Sequence, residues 1–332
     1  KFIKAMEENN GFISSDDFTS YKTNIGSPLI SSYRGNYVFS AGPPSGGGLV
    51  VSTSLNILNG FNLNKYGSNS AATYHLLAEA LRRGHNNRSH HMGDPNYYNV
   101  PMNALLSKER TLEFIKTINL KKATKSSKIK PLDIKNESRN TTHYSIVDKD
   151  GNAVSNTFTL GYSFGSGVTI PGTGVLLNNQ MGNFAYRYGD SSVQGRTGSP
   201  ANKYEPGKRP MSTMAPTMVF NSNKELMLIT GSPGGSTIPA SILRVISGIV
   251  DFKLDIGAAT MLPRVHKDWP YKGLDYETTI SKDTLSILDN FGHNLEPDKT
   301  IGSTQSIHII DGIRYGYSDL RRPNASVAVQ QN

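Results

Sequence analysis

The chain contains no cysteine. That excludes disulfides, thiol nucleophiles and cysteine-ligated metals, and leaves no trace of the redox state of its compartment. It also lacks any apolar run near the roughly 20 residues that cross a bilayer as a helix. Its longest apolar stretches are interrupted by Lys, Asn or Gly. Acidic residues are the scarcer charge: 26 Asp and Glu face 35 Lys and Arg, a formal net charge of +9. Nucleic acid would need basic residues gathered on one face with aromatics between them. The densest basic run holds Lys121, Lys122, Lys125, Lys128 and Lys130 with no aromatic among them. It reads as a solvated linker, and nucleic acid is not expected as a partner.

What is present is enough for a core. With 332 residues, 36% hydrophobic and 18% charged, the chain is globular rather than disordered and holds one large or two ordinary domains. Residues 1–10 read as an amphipathic helix with no apolar signal-peptide core; it looks like the middle of a longer helix. A short helix capped near Ser14 follows, then a hairpin over 33–40 with its turn at Gly35-Asn36. The Pro43-Pro44-Ser45-Gly46-Gly47-Gly48 loop runs into an apolar helix over 49–58. No Gly-Lys-Ser/Thr follows those glycines, so they read as a tight approach of loop to sheet, not a phosphate cradle. Helices are expected over 71–83 and 105–118. His75, His85, His90 and His91 match no zinc spacing and lie among arginines, so no metal is expected. From 119 to 140 the chain is polar and weakly patterned.

The pattern then turns strand-rich, to about residue 188. Thr142, Tyr144 and Ile146 alternate with His143, Ser145 and Val147, Asp148-Lys149-Asp150-Gly151 forms a turn, and a second strand runs over 153–160. A long surface loop spans 189–208. Strands over 217–220 and 226–230, helices over 238–251, 255–261 and 281–291, and a closing hairpin around Asp311-Gly312 complete the reading. Strands in runs, with helices before and after and no internal repeat, give layered α+β rather than repeated βαβ. A Thr-Thr pair heading a strand after a mobile run is also where a chain could cut itself and free an amine to serve its own threonine.

Five motifs sharpen this. Thr141-Thr142-His143-Tyr144-Ser145 with Asp148-Lys149-Asp150-Gly151-Asn152-Ala153-Val154 resembles the processing site of the γ-glutamyltranspeptidases, which are N-terminal nucleophile hydrolases. Phe164-Gly165-Ser166-Gly167, Gly174-Val175-Leu176-Leu177-Asn178-Asn179-Gln180-Met181, Lys208-Arg209-Pro210-Met211-Ser212-Thr213-Met214 and Gly231-Ser232-Pro233-Gly234-Gly235 follow in the family's order. The resemblance implies a four-layer αββα sandwich. It implies that 1–140 is the C-terminal part of a large subunit and 141–332 the small catalytic subunit, freed by cleavage between Asn140 and Thr141 and paired with the large one as a heterodimer.

The same resemblance implies a γ-glutamyltransferase or hydrolase, without cofactor, that moves the γ-glutamyl group of glutathione-like donors to water, amino acids or peptides. Thr141 would be nucleophile, its amine the base, Thr159 its assisting hydroxyl, and Gly234 and Gly235 the oxyanion donors. Gln180 would bind the donor's α-amino group, and Ser212 and Thr213 its α-carboxylate. Asn183 stands where the family has Asp and Gly161 where it has Asn, so the hold on a free ammonium is weaker. That suits a poly-γ-glutamate-cleaving enzyme or a glutaryl (cephalosporin) acylase as an alternative. An uncleaved, non-catalytic binding relative is the alternative of another class. Arg321 and Arg322 read as structural. The family's α-carboxylate-clamping Arg belongs to a large-subunit part that this sequence does not contain, so weak activity is expected of these 332 residues alone. Location at the periplasm or cell surface is implied by the resemblance only.

Overall fold

The computed structural model describes residues 1–129, 142–185, 199–271, 273–298, 300–323 and 325–330. Two short helices open the chain, α1 (Phe2–Glu8) and α2 (Ser15–Ser20). Ser14 and Asp17 close a reciprocal capping box on α2, satisfying two orphan donors at its start. Strands β1 (Leu29–Tyr33) and β2 (Asn36–Ser40) follow, register Tyr33↔Asn36. The turn is therefore Arg34-Gly35, one residue earlier than expected, and both residues hold positive φ.

Helix α3 (Gly47–Leu58) packs against α4 (Ala71–His91). The apolar periodicity of α4 stops near Leu81, yet the helix continues eight residues beyond the expected end at 83. Beyond 83 its polar side chains are buried, and Asn87 Nδ2 donates to the Leu105 carbonyl at 3.2 Å. Arg83 pairs with Glu79 at 2.6 Å and reaches Thr117 Oγ1 at 2.8 Å. His75 donates through Nε2 to the Asn119 carbonyl, and His85 lies 3.4 Å from Asp268. The helix expected over 105–118 is two, α5 (Met102–Leu105) and α6 (Lys108–Lys116), separated because Ser107 leaves the helical path to cap Arg110 N.

Strands β3 (Thr142–Val147) and β4 (Ala153–Phe158) form the expected hairpin, with Asp148 gathering the turn's N–H groups. Beyond β4 the strand-rich expectation fails among the described residues. Residues 159–185 are loop with two isolated bridges, Thr169↔Leu176 and Ala185↔Lys203, and a short 3-10 turn. Glycines at 161, 165, 167, 172 and 174 all take positive φ, which suits turns rather than a ladder. Strands β5 (Thr217–Phe220) and β6 (Leu226–Thr230), helices α7 (Ile238–Val250) and α8 (Ile256–Met261), and the final hairpin lie where the pattern put them. Between them is a small sheet that the pattern did not reveal. It joins β7 (Val265–His266), β8 (Gly273–Glu277) and, past α9 (Lys282–Asn290), β9 (Asn294–Asp298), which runs parallel to β8.

With β10 (Gln305–Ile310) and β11 (Ile313–Ser318), the main sheet has the order β1-β2-β5-β6-β10-β11. Val38, Val219, Leu228 and His308 stand in register across it. The first three share one apolar core with Val51 and Leu55 of α3 and Ile242, Val245 and Ile246 of α7. Helices thus cover one face, and β3–β4 packs at the other side against β6 and β10. The hairpin turns its polar face inward: His143, Ser145, Ser155 and Thr157 point at the sheet, while Tyr144, Ile146, Val154 and Phe158 are exposed. Helices, main sheet and hairpin are three successive layers of an α+β sandwich.

Candidate active site

Asn140 and Thr141 lie outside the described residues. Thr142, next in sequence, opens β3 opposite Phe158, the last residue of β4. Thr159 follows directly, and its Oγ1 accepts from Gly161 N at 3.0 Å. The positive φ of Gly161 lets the chain double back there. A Cβ on Gly161 would stand 1.9 Å from Asn179 Oδ1, so a side chain at this position has no room in the present geometry.

From Thr159 a chain of carboxamides leads to the second wall. Gln180 Nε2 donates to the Thr159 carbonyl at 3.3 Å, and Asn183 Nδ2 donates to Gln180 Oε1 and to the Met211 carbonyl. The carbonyls at both ends fix which amide atoms are nitrogen. Asn183 Oδ1 is left buried without a partner among the described residues. An unpaired buried acceptor costs about 1–3 kcal/mol unless a donor arrives. Asn202, which the sequence did not single out, braces this wall. It donates to the Asn183 carbonyl at 2.7 Å and accepts from Met211 N at 2.9 Å.

Ser212 and Thr213 follow Met211. Ser212 N donates to the Pro44 carbonyl at 3.1 Å, and Gly46 N to the Ser212 carbonyl at 2.7 Å. A Cβ on Gly47 would sit 2.1 Å from the Thr213 carbonyl oxygen. The glycine-rich loop is therefore a close-approach device that seats the Ser-Thr pair. Asp94 of the Met92-Gly93-Asp94-Pro95 element is fully buried and accepts from Arg209 N at 2.7 Å.

The third piece is 231–235. Gly234 has φ 137° and Gly235 φ 60°, values that favour glycine. Their N–H groups donate to no acceptor among the described residues. They stand at the start of a 3-10 turn leading into α7, all 13 residues of which are buried. Uncommitted N–H groups at a helix N-terminal end attract negative charge. The loop rests on Gly302, 3.2 Å from where a Gly234 Cβ would be, and Ser303 N donates to Ser232 Oγ at 2.9 Å. Behind it, Asp319 accepts from Thr304 N and pairs with Arg264 at 2.7 Å. Arg321 grips both oxygens of Glu277. His143 links hairpin to loop, a contact the sequence reading missed. Burial brings its pKa down to about 4.

Helices on one face of an antiparallel sheet, a threonine-bearing hairpin on the other and backbone donors without an acceptor among the described residues are the arrangement of the N-terminal nucleophile hydrolases. A family model described as Gamma-glutamyltranspeptidase matches residues 1–329, and the chain belongs to that family. It is 42% identical over 323 residues to a protein of Escherichia coli K12 named glutathione hydrolase proenzyme, covering 97% of this chain and 56% of the relative. The chain thus spans little more than half the length of that relative. The solved cephalosporin acylase from Bacillus halodurans matches all of this chain and 58% of its own, with 26% identity and a TM-score of 0.84. A γ-glutamyltranspeptidase from Pseudomonas nitroreducens complexed with L-DON matches at 39% identity and a TM-score of 0.54, over 57% of this chain and 100% of that one. Among the described residues no helix is long and apolar enough to cross a membrane.

Proposed function

We propose that the chain is the greater part of a self-processing γ-glutamyl acyltransferase or hydrolase, divided into 1–140 and 141–332. Thr141 Oγ attacks the Asn140 carbonyl, the acyl group shifts from nitrogen to oxygen, and water hydrolyses the ester. This frees the Thr141 amine, and the two pieces remain together as a heterodimer. In turnover, Thr141 Oγ attacks the donor's γ-carbonyl while its own amine takes the proton. The Gly234 and Gly235 N–H groups receive the developing oxyanion, an interaction typically worth about 3–4 kcal/mol. The leaving amine departs with the proton, and water or an amino acid or peptide amine takes the acyl group from Thr141. Thr159 assists the nucleophile, and Gln180, Ser212 and Thr213 hold the donor. Export to the periplasm or cell surface is the location that the family implies.

The observation that carries this reading is the pair of Gly234 and Gly235 N–H groups, which donate to no acceptor among the described residues, in the loop whose first residue, Gly231, meets His143 of the hairpin that follows Thr141. The test is to mix the full-length protein with γ-glutamyl-p-nitroanilide and follow both p-nitroaniline and the mass of the 141–332 fragment. Release of dye with a transient gain of one γ-glutamyl group on that fragment supports the reading. No turnover and no adduct would favour a non-catalytic binding relative.

The orphan oxygen of Asn183 favours a second reading within the same chemistry. A neutral acceptor suits an N–H that carries no charge, such as the acylated α-nitrogen inside poly-γ-glutamate, and offers a free ammonium no counter-charge. The likeness to the B. halodurans cephalosporin acylase points the same way, toward donors without a free α-amine. Comparing free γ-glutamyl, N-acyl-γ-glutamyl and glutaryl donors separates the two.

A further inference from the structure

His143 has a defined tautomer. Its Nε2 lies 3.1 Å from Ser145 Oγ and its Nδ1 2.8 Å from Thr157 Oγ1. Ser145 Oγ is also 2.9 Å from the Gln305 carbonyl, which can only accept. The single Ser145 proton goes to that carbonyl, so Ser145 accepts from His143 Nε2–H. Nδ1 is then bare and accepts the Thr157 hydroxyl proton. Each donor in the series has one acceptor, and the imidazole is neutral.

The ring also fills the space where a side chain at 231 would be. A Cβ on Gly231 would stand 2.2 Å from His143 Cε1. Gly231 begins the loop of Gly234 and Gly235, and its carbonyl accepts from Gln305 N at 3.1 Å. A closed circuit results: His143 to Ser145, Ser145 to Gln305, Gln305 to Gly231, and Gly231 against His143. On the hairpin side, His143 and Thr157 are directly opposed in the ladder, two residues after Thr141 and two before Thr159.

We propose that His143 is a positioning residue whose neutral, Nε2-protonated imidazole clamps the hairpin leading from Thr141 and into Thr159 onto the loop bearing Gly234 and Gly235. It fixes the separation of nucleophile and oxyanion donors without touching the donor molecule. This rests on the acyl-transfer reading above. A misplacement of about 1 Å between reacting groups costs about 100-fold in rate, and that is the scale of effect expected.

The test compares His143→Phe, which fills the volume and makes neither hydrogen bond, with His143→Gln, which keeps an N–H for Ser145. Both are made in the full-length protein, and Tm is measured to confirm folding. The expected result for His143→Phe is kcat down about 100-fold with KM unchanged and self-cleavage slowed alongside. His143→Gln recovers at least about ten-fold of that loss, and its kcat/KM profile keeps the parent's acidic limb. If His143→Phe does not fold, His143→Gln and histidine ¹⁵N NMR of the parent decide, a bare Nδ1 and protonated Nε2 being expected. A folded His143→Phe with parental kcat would overturn the clamp, as would an Nδ1–H tautomer or an acidic limb lost in His143→Gln. A parent active on γ-glutamyl-p-nitroanilide with indifferent variants sinks the clamp alone. A parent that neither turns over nor cleaves itself sinks the acyl-transfer reading and the clamp together.

Discussion

The Asn183 amide nitrogen donates to Gln180 Oε1, so the two carboxamides form one relay anchored at the Thr159 and Met211 carbonyls. Among the described residues the relay has one end without a partner, Asn183 Oδ1. An aspartate in this place would set oxygen against oxygen at both Gln180 and Met211, while supplying a negative charge for an ammonium. Asn183→Asp is therefore expected to raise kcat/KM for free γ-glutamyl donors relative to glutaryl or N-acylated ones. A charge-assisted hydrogen bond contributes about 1.5–3 kcal/mol, so the ratio should move by about 10- to 100-fold. An unchanged ratio would mean that Asn183 does not meet the donor's nitrogen.

Gly161 cannot simply be exchanged for asparagine. The added Cβ would meet Asn179 Oδ1 at 1.9 Å, and φ is +93°. Gly161→Asn is expected to displace Asn179 and loosen Thr159, costing about 1–3 kcal/mol of stability through strain and overpacking. Paired with Asn179→Gly, the loss should shrink. A urea titration of both variants reads this directly, and equal midpoints for single and double variants would refute the coupling.

The main sheet, its helices and the hairpin were legible because their cores are locally patterned: Val219 and Leu228 alternate, and Ile242, Val245 and Ile246 recur at helical spacing. The end of α4 was not legible, because its last turns are polar in sequence and are buried by distant segments, as where Asn87 Nδ2 reaches the Leu105 carbonyl and Ser199 Oγ the His90 carbonyl. The β7–β9 sheet was missed for a similar reason, since β7 is two residues long and β8 pairs in parallel across α9. In the site, motif order named Thr159, Gln180 and Gly234. The roles of His143 and Asn202 arise from contacts with Gly231 and Met211, which no local pattern carries.

Buried neutral histidines make stability depend on pH. Burial brings His90 and His293 to about 3 and His143 to about 4, against about 6.5 when unfolded. Below the unfolded value the denatured chain takes up protons that the native one refuses, so stability falls as pH drops from about 6.5 toward 4. Glu79 is buried, which alone would raise its pKa, but Arg82 and Arg83 outweigh this and hold it at about 2. Its contribution is present above the ordinary glutamate value and is lost as pH falls from there toward 2. Urea midpoints measured from pH 7.5 to 4 should change little above about pH 6.5 and decline below it. A flat profile above pH 5 would contradict the burial of these rings.

Asp319 is the counter-charge of buried Arg264 and also holds Thr304 N, behind the loop of Gly234. Removing one partner of a buried pair leaves an uncompensated charge and costs about 3–5 kcal/mol. Asp319→Ala should show that loss in thermal or urea unfolding, along with reduced kcat as 301–304 shifts. Asp319→Asn should lose less, because it retains an acceptor for Thr304. Equal losses in the two variants would show that the acceptor for Thr304 contributes nothing beyond the missing charge, and parental stability in both would contradict the pairing with Arg264.

The central claim is that Thr141 cuts the chain before it and then acts as the nucleophile. The most direct test is the intact mass of the purified full-length protein over time, beside Thr141→Ala. The account predicts two fragments divided between Asn140 and Thr141 in the parent, and a single uncut chain in the variant. An uncut parent after prolonged incubation, or cleavage at the same bond in Thr141→Ala, would contradict it.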